Sequence, residues 1–220
     1  SIARKLAHEI KNPLTPIQLS IDRLREKYSK KILDDGGDFN NYLETINRQI
    51  KDIENLTNEF SSFARMPKPL MREVNIVQII KRAVDFNKMY SENSIIFKPS
   101  SKEEIIRGDD EQLYRAFINL IKNSEEAINE EKLKTPDFKG KIEVVIFTNN
   151  GYIFIKLTDN GNGISDTKKI MTPYFTTKKN GTGLGLPIVN KIINEHSGEL
   201  TITNNHKKGV EVQIILPKYK

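Results

Sequence analysis

The chain contains no cysteine, which excludes disulfides, thiolate metal sites and thiol catalysis and is compatible with a reducing cytoplasm. No run of about 18 apolar residues occurs, so no segment reads as a membrane-spanning helix. There is no basic n-region followed by an apolar h-region at the start, hence no visible signal peptide. Internal repeats and low-complexity tracts are also missing. Although the net charge is +6, no basic tract is interleaved with aromatics as a single-strand groove requires. Direct binding of nucleic acid is therefore not expected, and the lysines read as a solvated surface suited to an acidic protein partner. The chain begins inside a helical pattern, without a cap or an initiator Met, which points to a fragment.

What is present is length and pattern. At 220 residues, 37% hydrophobic and 29% charged, the chain has the balance of a folded protein with one large or two modest domains. Ile2, Leu6, Ile10, Leu14, Ile17, Ile21, Leu24 and Tyr28 recur at spacings of three and four, which predicts a long helix to about residue 32. His8 lies far round that helix from Leu6 and Ile10, so it projects outward. Pro13 and Pro16 deprive the Glu9 and Asn12 carbonyls of partners, and a bend is expected one turn past His8. An outward histidine beside a prolyl kink is weak information by itself.

Asp34-Asp35-Gly36-Gly37-Asp38 reads as a break. Phe39, Leu43, Ile46, Ile50, Ile53, Leu56, Phe60 and Phe63 then mark a second helix with a near-heptad repeat. Two such helices form an antiparallel hairpin that cannot cover both its stripes. Pairing with a second copy into a four-helix bundle, a homodimer, is expected. Met66-Pro67-Lys68-Pro69-Leu70 ends the second helix, since residues before proline leave the α region. The predicted divisions are a helical hairpin over 1–65, a linker over 66–72 and a second domain over 73–220.

In that second domain a helix is predicted over 74–90, with Ile76, Ile79, Ile80, Val84 and Phe86 inward, and a strand at 95–97. Asp109-Asp110-Glu111-Gln112 resembles a capping box opening a helix to about residue 130. Leu113, Phe117, Leu120, Ile121 and Ile128 share one side of it, whereas Asn119, Asn123 and Glu126 form a separate polar ledge. Either the ledge is solvated or it lines a site for Mg²⁺ and phosphates, where amide oxygens suit a hard cation. Strands at 141–148 and 152–158 are joined by Asn149-Asn150-Gly151, a hairpin signal. Asp159 continues the apolar face of Ile153, Ile155 and Leu157, which is unfavourable unless donors meet its carboxylate. It either accepts from the exocyclic amino group of adenine or caps the turn Asn160-Gly161-Asn162-Gly163.

Residues 164–180 show no period and read as a mobile lid, followed by Gly181-Thr182-Gly183-Leu184-Gly185-Leu186-Pro187, a glycine-rich entry to a helix. Pro187 suits its first position, Val189, Ile192 and Ile193 its buried stripe, and its free N–H groups could hold phosphates. The spacing is neither that of a P-loop nor a dinucleotide fingerprint. His196 reads as a last-turn residue and His206 as a loop residue. Strands at 199–203 and 210–216 complete an α+β layered sandwich.

Together these stretches resemble the transmitter region of the sensor histidine kinases. His8-Glu9-Ile10-Lys11-Asn12-Pro13 is similar to the phosphoacceptor box, Asn119-Leu120-Ile121-Lys122-Asn123 to the N box, and Asp159-Asn160-Gly161-Asn162-Gly163 to the first glycine box. Pro173-Tyr174-Phe175-Thr176-Thr177-Lys178 is similar to the F box and Gly181-Thr182-Gly183-Leu184-Gly185 to the second glycine box. All five follow the family order. Residues 8–28 and 59–69 further resemble the NtrY-type nitrogen-regulation kinases, which implies an NtrX-type response regulator, through its receiver domain, as partner.

The resemblance implies a dimeric all-α hairpin followed by an α+β ATP-binding domain of the Bergerat type, with ATP and Mg²⁺ as cofactors. By the same resemblance His8 accepts the γ-phosphoryl group, Glu9 orients the imidazole, and Asn12 positions water for dephosphorylating the regulator. Asn119 and Asn123 contact the nucleotide, with Asn123 on Mg²⁺, and Asp159 reads adenine beside Gly161 and Gly163. Thr177, Lys178, Gly181, Thr182, Gly183, Leu184 and Gly185 belong to the lid over the phosphates. Glu126 stands where many members place lysine. The resemblance also implies a full-length protein in the bacterial inner membrane, anchored by upstream segments, with this region on the cytoplasmic side. The rival readings are an ATPase of the gyrase, Hsp90 and mismatch-repair group, and a phosphatase-dominant or non-catalytic nucleotide-sensing scaffold.

Overall fold

The computed structural model describes residues 2–28, 36–64, 66–166, 169–172, 175–176, 183–205 and 208–219, without the side chains of 2–9, 11–13, 36–38, 59 and 62–64. The chain divides into two compact units, Ser1–Pro67 with Thr176–Leu184, and Lys68–Phe175 with Gly185–Lys220.

In the first unit, α1 (Ile2–Tyr28) and α2 (Gly36–Ala64) are long helices that pack on each other. α1 stays helical through both prolines, and the Pro16 carbonyl accepts the Ser20 hydroxyl at 2.8 Å. Gly36, Gly37 and Asp38, expected in the break at 34–38, belong to the first turn of α2, whereas Asp34 and Asp35 lie outside the described residues. The two helices meet along one heptad seam. Leu14 and Ile21 of α1 and Leu43 and Ile50 of α2 are buried, with Phe39 packed against them, and Gln18 donates to Asn47 at 2.9 Å. A second seam, offset by three or four residues, is left open by the α1–α2 packing: Ile10, Ile17 and Leu24 on α1 and Ile46 and Ile53 on α2 each stay 40–45% exposed among the described residues.

The second unit is built on a five-stranded sheet in the order β2-β4-β5-β7-β6. It comprises β2 (Ser94–Pro99), β4 (Lys141–Asn149), β5 (Tyr152–Asp159), β6 (Glu199–Asn204) and β7 (Val210–Pro217), with β2 parallel to β4 and the other pairs antiparallel. Asn150 and Gly151 take φ of 48° and 78°, the pair of positive values that a tight hairpin matched to strand twist requires. Ile142, Val144 and Ile146 of β4, Ile153, Ile155 and Leu157 of β5, and Val212, Ile214 and Leu216 of β7 form one buried face. The buried stripes of α3 (Ile76–Lys88), α4 (Asp110–Lys134) and α5 (Gly185–Glu195) complete the core.

Two readings of this unit need correction. Val74 and Asn75, expected to open the helix over 74–90, are not helical: β1 (Arg72–Asn75) pairs antiparallel with β3 (Ile105–Gly108), so Val74 faces Ile106 across a small ladder. Asn75 then caps α3 by accepting the Val77 N–H at 3.1 Å. Phe86 is exposed, because it lies about 200° round the helix from the buried Val84, and its ring meets Tyr90 at 5.5 Å.

Candidate functional site

The site is assembled around α4, whose start is fixed by its own sequence. Asp109 is extended, and its Oδ1 accepts the Gln112 N–H at 3.0 Å, removing one of the unpaired donors of the first turn. Its Oδ2 accepts the Leu70 N–H at 2.8 Å. His196, expected to be an ordinary last-turn residue, is buried and bridges two helices. Its Nε2 accepts the Asp109 N–H at 2.8 Å and its Nδ1 lies 2.7 Å from the Ile192 carbonyl. A carbonyl can only accept and an amide N–H only donate, so the proton of the neutral ring sits on Nδ1.

Along α4, Asn119 and Asn123 are half-buried, consistent with the polar ledge. Gly185 opens α5 beside that ledge: a Cβ there would stand 3.9 Å from the Asn123 amide nitrogen. Pro187 is the third residue of α5 rather than the first, still within the turn whose N–H groups need no helical partner. Glu126, the departure from the family pattern, stands 3.9 Å from Lys122 one turn back. Such an exposed pair contributes only tenths of a kcal/mol, about 0.5 at most.

Asp159 closes β5 on the buried face and is 3% exposed. The donors that its burial demands are present. Oδ2 accepts the Ser124 hydroxyl at 2.9 Å, and Oδ1 accepts the N–H of Gly161 at 2.9 Å and of Val210 at 3.2 Å. The bond to Gly161 caps the turn, so that reading is realised in the geometry. A Cβ on Gly161 would overlap the Ala127 backbone, so only glycine lets the turn sit this close to α4. Gly163 and Gly183 have φ of 77° and 69°. Ser124 and the Val210 N–H were not singled out from sequence. The usable signal was a serine inside a helix directly after Asn123, where a hydroxyl on the buried side needs a partner.

The structure thus joins Asn123, Ser124, Asp159, Gly161 and Gly185. The side chains of His8, Glu9 and Asn12, and residues Thr177, Lys178, Gly181, Thr182 and His206, lie outside what is described. No group of three or more His, Asp or Glu side chains that could hold a metal occurs among the described residues. The donor set on the ledge is instead amide oxygen, which fits a Mg²⁺ that keeps waters and takes phosphate ligands.

Residues 2–69 match the His Kinase A phospho-acceptor domain, and residues 108–220 match the histidine kinase-, DNA gyrase B- and HSP90-like ATPase family. The chain belongs to the sensor histidine kinases. The second family also takes in gyrase B- and HSP90-like ATPases, whereas the first match is to the phospho-acceptor domain of histidine kinases. Over 216 residues the chain is 38% identical to the NtrY-like sensor histidine kinase of Rickettsia conorii, covering 97% of this chain and 35% of that protein. It is 38% identical over 208 residues to the nitrogen regulation protein NtrY of Azorhizobium caulinodans, covering 92% of this chain and 26% of that one. The chain therefore spans about a third or less of these relatives. Among solved kinases, ThkA in complex with the response regulator TrrA aligns with a TM-score of 0.67 at 25% identity, over 99% of this chain and 61% of that one. Full-length ShkA with AMPPNP aligns at 0.70 and 18% identity, over 99% and 46%, a likeness of fold. The helical hairpin followed by an α/β ATP-binding domain is the family architecture, and no helix among the described residues is long and apolar enough to cross a membrane.

Proposed function

We propose that this chain binds Mg-ATP, transfers the γ-phosphoryl group to His8 and passes it to an aspartate of a response-regulator receiver domain. The observation that carries this reading is Asp159: a carboxylate 3% exposed, held by Ser124, Gly161 and Val210 beside a glycine turn. By the family resemblance this buried carboxylate is the acceptor for the exocyclic amino group of adenine.

In the transfer a ring nitrogen of His8 attacks the γ-phosphorus, the bond to the ADP oxygen breaks, and the ring proton leaves towards Glu9. Little covalent help is needed beyond alignment and neutralised charge. Asn119 and Asn123 flank the nucleotide, and a Mg²⁺ on Asn123 and the phosphates would supply that neutralisation. Gly161, Gly163, Gly183 and Gly185 allow close approach, with Thr177, Lys178, Gly181, Thr182 and Leu184 in the covering segment. Asn12, one turn after His8, positions water when phosphate is removed from the regulator. The uncovered seam of α1 and α2 supports a homodimer, and the likeness to NtrY supports an NtrX-type regulator. Residues 1–65 form the phosphotransfer hairpin, 66–72 the linker and 73–220 the catalytic domain, on the cytoplasmic side of a membrane-anchored protein.

The test is transfer. Phosphorylated chain, freed of nucleotide, is mixed with an NtrX-type receiver domain, and label should move to the receiver and be lost when its acceptor aspartate is replaced. Label that stays on the kinase with several such receivers would contradict the proposed partner.

A further inference from the structure

One side chain outside the family motifs grips the turn that Asp159 begins. Asn204, the last residue of β6, uses both ends of its carboxamide on a single residue: Oδ1 accepts the Ile164 N–H at 2.8 Å and Nδ2 donates to the Ile164 carbonyl at 2.7 Å. This is the pairing a neighbouring strand would give, supplied by a side chain to a residue outside any strand. Gly163, just before it, has φ of 77°, and a Cβ there would lie 3.2 Å from Asn204 Oδ1, so the carboxamide packs directly on the turn. From the α4 side, Asn162 Nδ2 donates to Glu130 at 2.6 Å.

The same end of the sheet reaches Asp159 by a second route. Asn204 is the register partner of Val210, whose N–H donates to Asp159 Oδ1 at 3.2 Å, and Gly209 lies so close that a Cβ on it would overlap the Asp159 carbonyl. Asn204 is therefore tied on one side to the strand pair that orients Asp159, and on the other to the exit of the turn that Asp159 enters.

We propose that Asn204 is a positioning residue for base selection: its carboxamide fixes the exit of the turn at Gly163 and Ile164, and so holds the Asp159 carboxylate in the orientation that distinguishes adenine. The inference rests on Asp159 as the base-reading residue. The competing role is loop stability alone, which would lower the population of folded protein without changing what the folded protein prefers.

The experiment is equilibrium titration of the whole chain with ATP and with GTP, alongside thermal melting. The variants are Asn204→Ala, Asn204→Asp, Asp159→Asn and Asn75→Ala, the last removing the α3 cap elsewhere in the domain. Asn204→Ala loses both hydrogen bonds and should reduce the ATP-over-GTP preference about tenfold, with weakened ATP binding as the cause. Asn204→Asp keeps the acceptor for the Ile164 N–H but sets a carboxylate oxygen against the Ile164 carbonyl, and should also lose about tenfold. Asn75→Ala should lower the melting temperature and leave the preference unchanged. If both Asn204 variants keep the wild-type preference while Asp159→Asn abolishes it, the positioning role is wrong and the Asp159 reading stands. If Asp159→Asn also keeps the preference, the base-reading role fails and the inference falls with it. Should Asn204→Ala not fold, the outcome with Asn204→Asp decides.

Discussion

The imidazole of His196 accepts the backbone N–H of Asp109 at 2.8 Å, so the end of α5 is bound to the cap of α4. Asp109 in turn holds Gln112 and Leu70 through its carboxylate. The helix that carries Asn119, Asn123 and Ser124 is thereby anchored at its first turn by a residue that follows the glycine-entry helix.

Replacing His196 with alanine should destabilise the ATP-binding domain by about 2–4 kcal/mol, from the lost packing of a buried ring and an amide left without its acceptor. Asp109→Ala should cost about 1–2 kcal/mol through the lost cap. Because the bond to His196 uses the backbone of Asp109, the two losses should be nearly additive. A coupling energy above about 1 kcal/mol in a denaturation double-mutant cycle would contradict this arrangement.

Ser124→Ala removes the hydroxyl that donates to Asp159 Oδ2. ATP affinity should fall by roughly 5- to 30-fold while the fold persists, since a hydrogen bond to a charged group contributes on the order of 1–2 kcal/mol. Ser124→Thr keeps the hydroxyl and should retain more of the affinity. Equal losses in both variants, measured by titration calorimetry, would show that volume rather than hydrogen bonding matters there.

The open seam of the hairpin predicts how assembly fails. Ile17→Asp or Ile53→Asp places a charge on a face that stays exposed within one chain, so it should give folded monomers in sedimentation equilibrium. Ile21→Ala cuts into the covered seam and should instead lower helical stability by about 2–5 kcal/mol. A dimer that survives both seam charges would place the interface elsewhere.

Two ion pairs give acid sensitivity. The Lys208 ammonium, hydrogen-bonded at 2.6 Å, holds the Glu131 carboxyl below its ordinary value, and Lys98 does the same for Glu143. A carboxyl whose folded value is depressed adds stability above the ordinary value of 4.5 and loses it as pH falls through that value towards the folded one. Lys208→Met and Lys98→Met should therefore flatten the decline of stability below about pH 4.5. An unchanged acid slope would show that these pairs are not maintained in solution.

Much of this architecture was legible in local pattern. The Asp109 cap, the Asn149-Asn150-Gly151 hairpin and the inward face ending at Asp159 each depend on neighbours within a few residues. What sequence alone missed depends on partners far along the chain. His196 finds Asp109 across 87 positions, Ser124 finds Asp159 across 35, and Asn204 finds Ile164 across 40. β1 and β3 escaped because strands of four residues are too short to show alternation, and β1 runs straight into the stripe of α3. Hydrophobicity alone places Phe86 inward, although the helical period set by Ile76, Ile80 and Val84 turns it outward.

The central claim is phosphorylation of His8. The chain and its His8→Ala variant are incubated with Mg²⁺ and γ-labelled ATP, and the bound label is tested for stability in acid and alkali. The account predicts label on the wild type alone, lost in acid and retained in alkali, as for a phosphoramidate. No label despite measured ATP binding, or equal label on the variant, would contradict it.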